Sequence, residues 1–293
     1  MRDWTPVSDA ITRATGVRFE CARSSAVAGG DINSAYRLEG SDGRRYFVKL
    51  NAAGKHAMFA AERAGLAEMA GTETVRVPRP VAEGVAGPLA FLVLEYLELG
   101  GRGNGRQLGE QLAALHRTTA PQFGFAIDNT IGSTPQPNGW MTDWIAFLRQ
   151  RRLGFQLQLA ESSGYRGKLQ ERGAVLLEAL PAFFSGYAPT PSLLHGDLWG
   201  GNHAYLKDGT PVIFDPAPYY GDREVDLAMT ELFGGFDPDF YSGYRAGFAL
   251  DPGYPVRKTL YNLYHILNHA NLFGGGYARQ AEGMIDRLLA AIR

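Results

Sequence analysis

His195-Gly196-Asp197-Leu198-Trp199-Gly200-Gly201-Asn202 is the densest polar run in the chain. It directly follows the apolar pair Leu193-Leu194, where a loop presents side chains beyond the end of a strand. Asp197 and Asn202 stand five apart. At that separation a phosphoryl-transfer loop places an Asp that accepts the proton of an attacking hydroxyl and an Asn that binds a metal ion. Asp215 follows one hairpin later, at the end of Val212-Ile213-Phe214, as a second carboxylate able to hold Mg2+ against phosphates. Taken singly, Asp, Asn and Gly are also ordinary turn residues. The ordered set of His-Gly-Asp, an Asn at fixed distance and an apolar strand ending in Asp215-Pro216 points to chemistry.

Lys49 lies in the mostly apolar segment Tyr46-Phe47-Val48-Lys49-Leu50, where an unpaired ammonium is costly and calls for an anion. On the following helix Met58, Glu62, Leu66 and Met69 share one face, which sets Glu62 inside an apolar stripe. Each charge explains the other, and such a strand-to-helix Lys-Glu pair is how kinases hold a lysine on the nucleotide's α- and β-phosphates. Upstream, Gly29-Gly30-Asp31-Ile32-Asn33 joins two strands, and adjacent glycines let backbone N–H groups approach phosphate oxygens. Alone, that segment reads equally as a hairpin loop. Three other patterns fail. Gly101 to Arg106 has Arg106 in place of the third glycine of a dinucleotide turn, and Gly54-Lys55 lacks the rest of a Walker loop. His265 and His269 have Ile266 where a zinc protease carries its Glu, so they read as core or substrate-side histidines without zinc.

These groups need elements to position them. Residues 4–14 read as an amphipathic helix. Phe19 to Val27, Ala35 to Leu38 and Tyr46 to Leu50 read as strands, the last two joined by an Asp42-Gly43 turn. A helix over Ala57 to Ala70, strands at Val81 to Glu83 and Phe91 to Leu97, and a glycine-rich linker from Leu99 to Gly105 follow. Beyond it the period becomes helical, with Asn104 as an N-cap before Leu108, Leu112 and Leu115 and further helical stretches near 142–160 and 166–184. Short strands return at Ser192 to Leu194, His203 to Leu206 and Val212 to Phe214, and helices run from about Asp222 onward. The expected class is α+β: a small antiparallel β-rich nucleotide-binding lobe over residues 1–99 and a larger, mainly helical catalytic lobe over 100–293, with the nucleotide in the cleft between them.

A length of 293 residues suits two lobes, and 45% hydrophobic content supports a sizeable core. A net charge of -1 provides no basic footprint for nucleic acid or an anionic membrane. The single Cys21 fits a reducing cytoplasm. The first residues carry no apolar signal core, and Phe91 to Leu99 is interrupted by Glu95 and Glu98, so neither export nor membrane anchoring is expected. Asp215 to Asp226 spans eleven residues with no Ala-Pro-Glu after it, which disfavours a signalling kinase with a long activation loop.

With these residues in view, the chain resembles the fructosamine kinase (ketosamine-3-kinase) family, relatives of aminoglycoside and choline kinases with a bilobal protein-kinase-like fold. The resemblance covers nearly the whole chain. It runs through Gly29 to Asn33, Phe47-Val48-Lys49, Met58-Phe59 ahead of Glu62, Leu194 to Asn202, Asp215-Pro216-Ala217, Tyr220-Gly221-Asp222, Glu224 to Ala228, Phe233-Gly234-Gly235-Phe236 and Asn268-His269. It implies ATP- and Mg2+-dependent phosphorylation of the 3-hydroxyl of ketosamines, as small molecules or on glycated protein lysines, and with it deglycation. Under it Asp197 is the base, Asn202 and Asp215 hold Mg2+, and Lys49 with Glu62 positions the phosphates. Glu95-Tyr96-Leu97 offers backbone groups to adenine, while Trp199 and His269 face the substrate. Asp31 stands where some relatives carry a cysteine, so thiol control at that loop is not expected. A kinase of another small-molecule hydroxyl, or a non-catalytic nucleotide-binding module, is the alternative reading.

Overall fold

The computed structural model describes residues 2–28 and 32–292. In chain order the elements are α1 (Thr5–Thr15), β1 (Cys21–Val27), β2 (Ser34–Gly40), β3 (Arg45–Ala52), α2 (His56–Gly71), β4 (Pro80–Ala86), β5 (Leu89–Glu95) and α3 (Gly105–Leu115). Then come β6 (Asn129–Ile131), β7 (Thr134–Gln136), α4 (Trp144–Phe147), α5 (Gly154–Ser162), α6 (Lys168–Ala179), β8 (Ser192–Leu194), β9 (His203–Tyr205), β10 (Pro211–Ile213) and β11 (Tyr219–Gly221). Helices α7 (Glu224–Thr230), α8 (Pro238–Gly247), α9 (Tyr254–Phe273) and α10 (Tyr277–Ala291) complete the order. The chain forms two compact units, Met1–Asn104 with Ala204–Pro216, and Gly105–His203 with Ala217–Arg293.

The first unit is built on an antiparallel five-stranded sheet in the order β1-β2-β3-β5-β4. Side chains alternate across a strand. Tyr46, Val48 and Leu50 of β3 therefore share one face, and they join Trp4, Val7 and Ile11 of α1 in a single apolar cluster. Lys49 falls on the opposite face, from which α2 directs Glu62. On α2 the buried residues are Phe59, Ala61, Gly65, Leu66 and Met69, while Met58, expected on that stripe, is half-buried. β5 stops at Glu95, two residues short of the expected Leu97, because its neighbours run out: Pro80 of β4 pairs with Leu94 and Tyr46 of β3 pairs with Glu95. The β9–β10 hairpin packs with this unit from Ala204 on, where Val212 bridges Arg76 and the Ile213 N–H donates to the Arg76 carbonyl at 3.0 Å.

The second unit is mainly helical. Helices α3 and α8 approach closely because Gly109 and Gly243 carry no side chain: an added Cβ would lie 2.0 Å from the Phe240 carbonyl oxygen and 2.1 Å from that of Arg106, respectively. Asp143 caps α4 by accepting the Ala146 N–H at 2.6 Å. A π-helical turn over Leu148–Leu153 connects α4 to α5. Two short ladders lie among the helices, β6–β7 and β8–β11. Most of α9 is buried, including Tyr261, Tyr264, His265 and Asn268. No helix among the described residues is long and apolar enough to cross a membrane.

Helix α9 also carries a pH-sensitive group. His265 is 1% exposed, and its Nε2 has no hydrogen-bond partner. Burial, reinforced by His269 and opposed by Asp226, pushes its pKa from 6.5 down to about 3. The folded value lies below the unfolded one, so between these pH values the unfolded chain binds a proton that the folded chain refuses. The neutral ring's contribution to stability is present above pH 6.5 and is lost as pH falls toward about 3. The slope is at most about 1.4 kcal/mol per pH unit. Thermal melts of the parent should fall across that window, and His265→Gln should flatten the fall. Equal acid slopes in both proteins would contradict this origin.

Candidate active site

In the first unit, β3, α2 and the end of the β9–β10 hairpin bring three charges together. Lys49 Nζ donates to Glu62 Oε1 and to Asp215 Oδ1, each at 2.6 Å. The Lys49 and Glu62 side chains are 8% and 11% exposed, whereas that of Asp215 is 47% exposed. Burial opposes charging the Lys49 amine, but Glu62 and Asp215 outweigh it and hold the group above the usual lysine value. Burial likewise raises Glu62, with Lys49 pulling the other way. Asp215 adopts φ 58°, a left-handed conformation that Asp tolerates better than most residues.

Of the glycine-rich loop, Gly29, Gly30 and Asp31 lie outside the described residues. Its end is fixed to β3: Asn51 Nδ2 donates to Asn33 Oδ1 at 2.8 Å and to the Ile32 carbonyl at 3.2 Å. Asn51 is two residues beyond Lys49 and so shares its face of the sheet. Glu95 is engaged elsewhere. Its N–H donates to the Arg79 carbonyl at 2.9 Å, and its carboxylate accepts from Arg79 N and Arg76 Nη2, each at 2.6 Å. The Glu95 N–H is thus paired with the Arg79 carbonyl at the end of β5. Tyr96 lies beneath the guanidinium groups of Arg45 and Arg37, 5.0 and 5.9 Å from its ring, and the Leu97 carbonyl accepts the Leu99 N–H at 3.1 Å.

In the second unit, Asn202 Nδ2 donates to the Asp197 backbone carbonyl at 2.8 Å and to Asp197 Oδ2 at 3.3 Å. The Asn202 N–H donates to the Trp199 carbonyl at 2.9 Å, closing a 3-10 turn over Gly200–Asn202. Asp197, Trp199 and Asn202 are therefore held on one short loop. Trp199 is 41% exposed beside it. His269 lies on α9, and its Nδ1–H donates to the His265 carbonyl at 2.8 Å, so its ring orientation is set by the helix itself.

A residue that sequence reasoning gave no role anchors this loop. Asp226 on α7 is fully buried and accepts the His195 and Gly196 N–H groups at 2.7 and 2.8 Å, with His116 Nε2 at 3.0 Å. His116 Nδ1 in turn meets Tyr244 OH at 2.8 Å. Burial opposes ionisation of Asp226, but His116, His195 and the Gly196 N–H outweigh it and hold the carboxyl below its usual range. Gly196 has φ 81°, and an added Cβ would lie 2.0 Å from the Ala217 carbonyl oxygen, so both conformation and space require glycine there. The sequence signal for Asp226 was an acid within the otherwise apolar Val225-Asp226-Leu227-Ala228-Met229.

The oxygen donors suit a hard divalent cation. In the first unit Asp215 offers a half-exposed carboxylate, and in the second Asn202 turns its Nδ2 toward Asp197, which leaves its Oδ1 as an oxygen donor. No group of three or more His, Cys, Asp or Glu among the described residues could hold a metal by itself. Few protein ligands plus phosphate oxygens is the usual arrangement for a nucleotide-borne ion.

Comparison with known proteins agrees with this chemistry. The fructosamine kinase family model matches residues 3–291. A Synechocystis sp. protein named "Probable ketoamine kinase" is 50% identical over 290 residues, covering 98% of this chain and 97% of that protein. The chloroplastic protein-ribulosamine 3-kinase of Arabidopsis thaliana is 41% identical over 300 residues, covering 100% of this chain and 88% of its own length. The solved structure of a candidate fructosamine-3-kinase from Haemophilus somnus matches at TM-score 0.89 with 28% identity, over 98% of this chain and 97% of that one. Choline kinase from Streptococcus pneumoniae, 14% identical, shares the fold at TM-score 0.62 over 98% of both chains. The fold is of the protein-kinase-like α+β class, and the chain is a phosphotransferase that belongs to the fructosamine kinase family.

Proposed function

We propose that this protein transfers the γ-phosphoryl group of ATP to the 3-hydroxyl of a ketosamine, the sugar adduct of an amine or of a protein lysine. The observation that carries the reading is the buried Lys49 amine held at 2.6 Å by both Glu62 and Asp215. That triad supports a phosphate-binding lysine, because an ammonium so placed gains a strong anionic ligand without rearranging its support. Asp197 accepts the proton of the 3-hydroxyl as its oxygen attacks phosphorus, and the Asn202 amide keeps that carboxylate oriented. Asp226 positions the loop through the His195 and Gly196 N–H groups. Glu95, Tyr96 and Leu97 offer backbone groups to adenine, Trp199 offers its exposed indole face to the sugar, and His269 faces the substrate from α9. Asn202 and Asp215 are the residues that would hold Mg2+, which would supply neutralisation of phosphate charge.

A phosphate at C3 is a far better leaving group than hydroxide, so loss of a C1 proton with expulsion of inorganic phosphate leaves an imine at C1, which water hydrolyses to the free amine and a 3-deoxy dicarbonyl sugar. Deglycation is therefore the role we assign, in a cytoplasmic setting that the single Cys21 supports. The test is ADP release on a panel of fructosyl-lysine, ribulosyl-lysine, free amino sugars and choline. The proposal expects acceptor-dependent turnover with the two ketosamines, abolished by chelation of divalent metal and restored by Mg2+. Turnover with choline or free amino sugars in preference to both ketosamines would overturn it.

A further inference from the structure

Two groups of aromatic rings lie beside the catalytic loop in the second unit, joined by the segment Phe233-Gly234-Gly235-Phe236, and of them only His269 has a role in the reaction described above. His203 directly follows Asn202, and its ring lies 4.3 Å from that of Phe236 at 30°. Gly234 and Gly235, at φ 98° and 78°, turn the chain between Phe236 and Phe233. Phe233 is 36% exposed and meets His269, whose ring lies 5.0 Å from it, 5.4 Å from Phe273 and 5.1 Å from Tyr277. Phe273, at the last position of α9, is 61% exposed. Large aromatics normally gain by burial, so two exposed phenylalanines grouped with other rings, and tied through Phe236 to the residue after Asn202, mark a binding surface.

We propose that this aromatic shelf is the subsite for the substituent on the ketosamine nitrogen, taking an alkyl or aryl group together with the protonated amine. The inference rests on the ketosamine-kinase reading and extends it to the part of the acceptor that does not react. A ketosamine nitrogen is a secondary amine, cationic at neutral pH, and the faces of aromatic rings attract alkylammonium groups. With the sugar at Asp197 and Trp199, the amine side of the acceptor must pass over surface adjoining the loop, and His203 and Phe236 begin that surface. Rings of this kind contribute contact area and a cation-attracting face but few hydroxyl partners, so they suit the amine substituent better than the sugar.

The test compares N-fructosyl-phenethylamine with N-fructosyl-methylamine as acceptors for the parent, Phe273→Ala and Phe233→Ala. Phe273→Ala should raise KM for the phenethylamine adduct about threefold to tenfold, the worth of one aromatic contact. It should leave kcat and the KM for ATP unchanged and shift the KM of the methylamine adduct, which keeps only the cationic nitrogen, by a smaller factor, with no loss of melting temperature at so exposed a position. Equal changes for both adducts, or none, would overturn the shelf. If the parent phosphorylates neither adduct, the assigned reaction fails, and the shelf is read separately by calorimetric titration of phenethylammonium. Weaker binding to Phe273→Ala than to the parent supports it; equal binding or no binding overturns it.

Discussion

Asp197→Ala should lower phosphoryl transfer to a ketosamine by roughly 100- to 10,000-fold, the usual worth of a positioned general base. The structure makes this substitution informative because several of the hydrogen bonds that shape the loop do not use that carboxylate. The Asp197 backbone carbonyl still accepts Asn202 Nδ2, and Asp226 still holds the His195 and Gly196 N–H groups. The variant should therefore melt near the parent temperature and bind ATP with similar affinity while losing kcat. Full acceptor-dependent turnover in Asp197→Ala would remove this residue from the mechanism. A large drop in melting temperature would show that the loop leans on the carboxylate more than these hydrogen bonds imply.

Lys49→Met should act on stability and on catalysis through different partners. Lys49 is 7% exposed, and its loss strands the Glu62 carboxylate in a site of 11% side-chain exposure. Breaking one side of a buried pair costs about 3–5 kcal/mol. Losing a cation aimed at transition-state charge should reduce kcat/KM for ATP by roughly 100- to 1,000-fold. The double variant Lys49→Met/Glu62→Gln removes the stranded charge, so much of the stability should return while activity stays low. Glu62→Gln alone should be milder, because Asp215 still pairs with the amine at 2.6 Å. Thermal melts and ATP kinetics on the four proteins separate the two effects. Recovery of activity along with stability would show that Lys49 serves the fold and not the phosphates.

The paired groups were legible in the sequence because each broke a local pattern. Lys49 interrupts an apolar strand, Glu62 interrupts an apolar helical stripe, and the structure joins them. The five-residue spacing of Asp197 and Asn202 likewise became a direct contact, because the intervening glycines close one turn. Asp226 was not legible in its role, since its partners are backbone N–H groups thirty or so residues away and His116, which no spacing rule connects. The β6–β7 hairpin was missed because Asn129-Thr130-Ile131 and Thr134-Pro135-Gln136 are short and polar and contain a proline, which demotes a strand. Its stability comes instead from buried amides: Gln136 Nε2 donates to Asn129 Oδ1 at 2.8 Å, and Tyr264 OH donates to Gln136 Oε1 at 2.7 Å. The aromatic shelf was hidden for another reason, since exposure of Phe233 and Phe273 cannot be read from an apolar letter.

The most direct test is the position of the phosphate on the product. Incubation of the protein with Mg-ATP and fructosyl-lysine, followed by phosphorus and carbon NMR of the purified product, should give a single monoester on the oxygen of C3, and no product when Asp197 is Ala. A phosphate on another hydroxyl, or ATP hydrolysis indifferent to the ketosamine, would contradict the assignment.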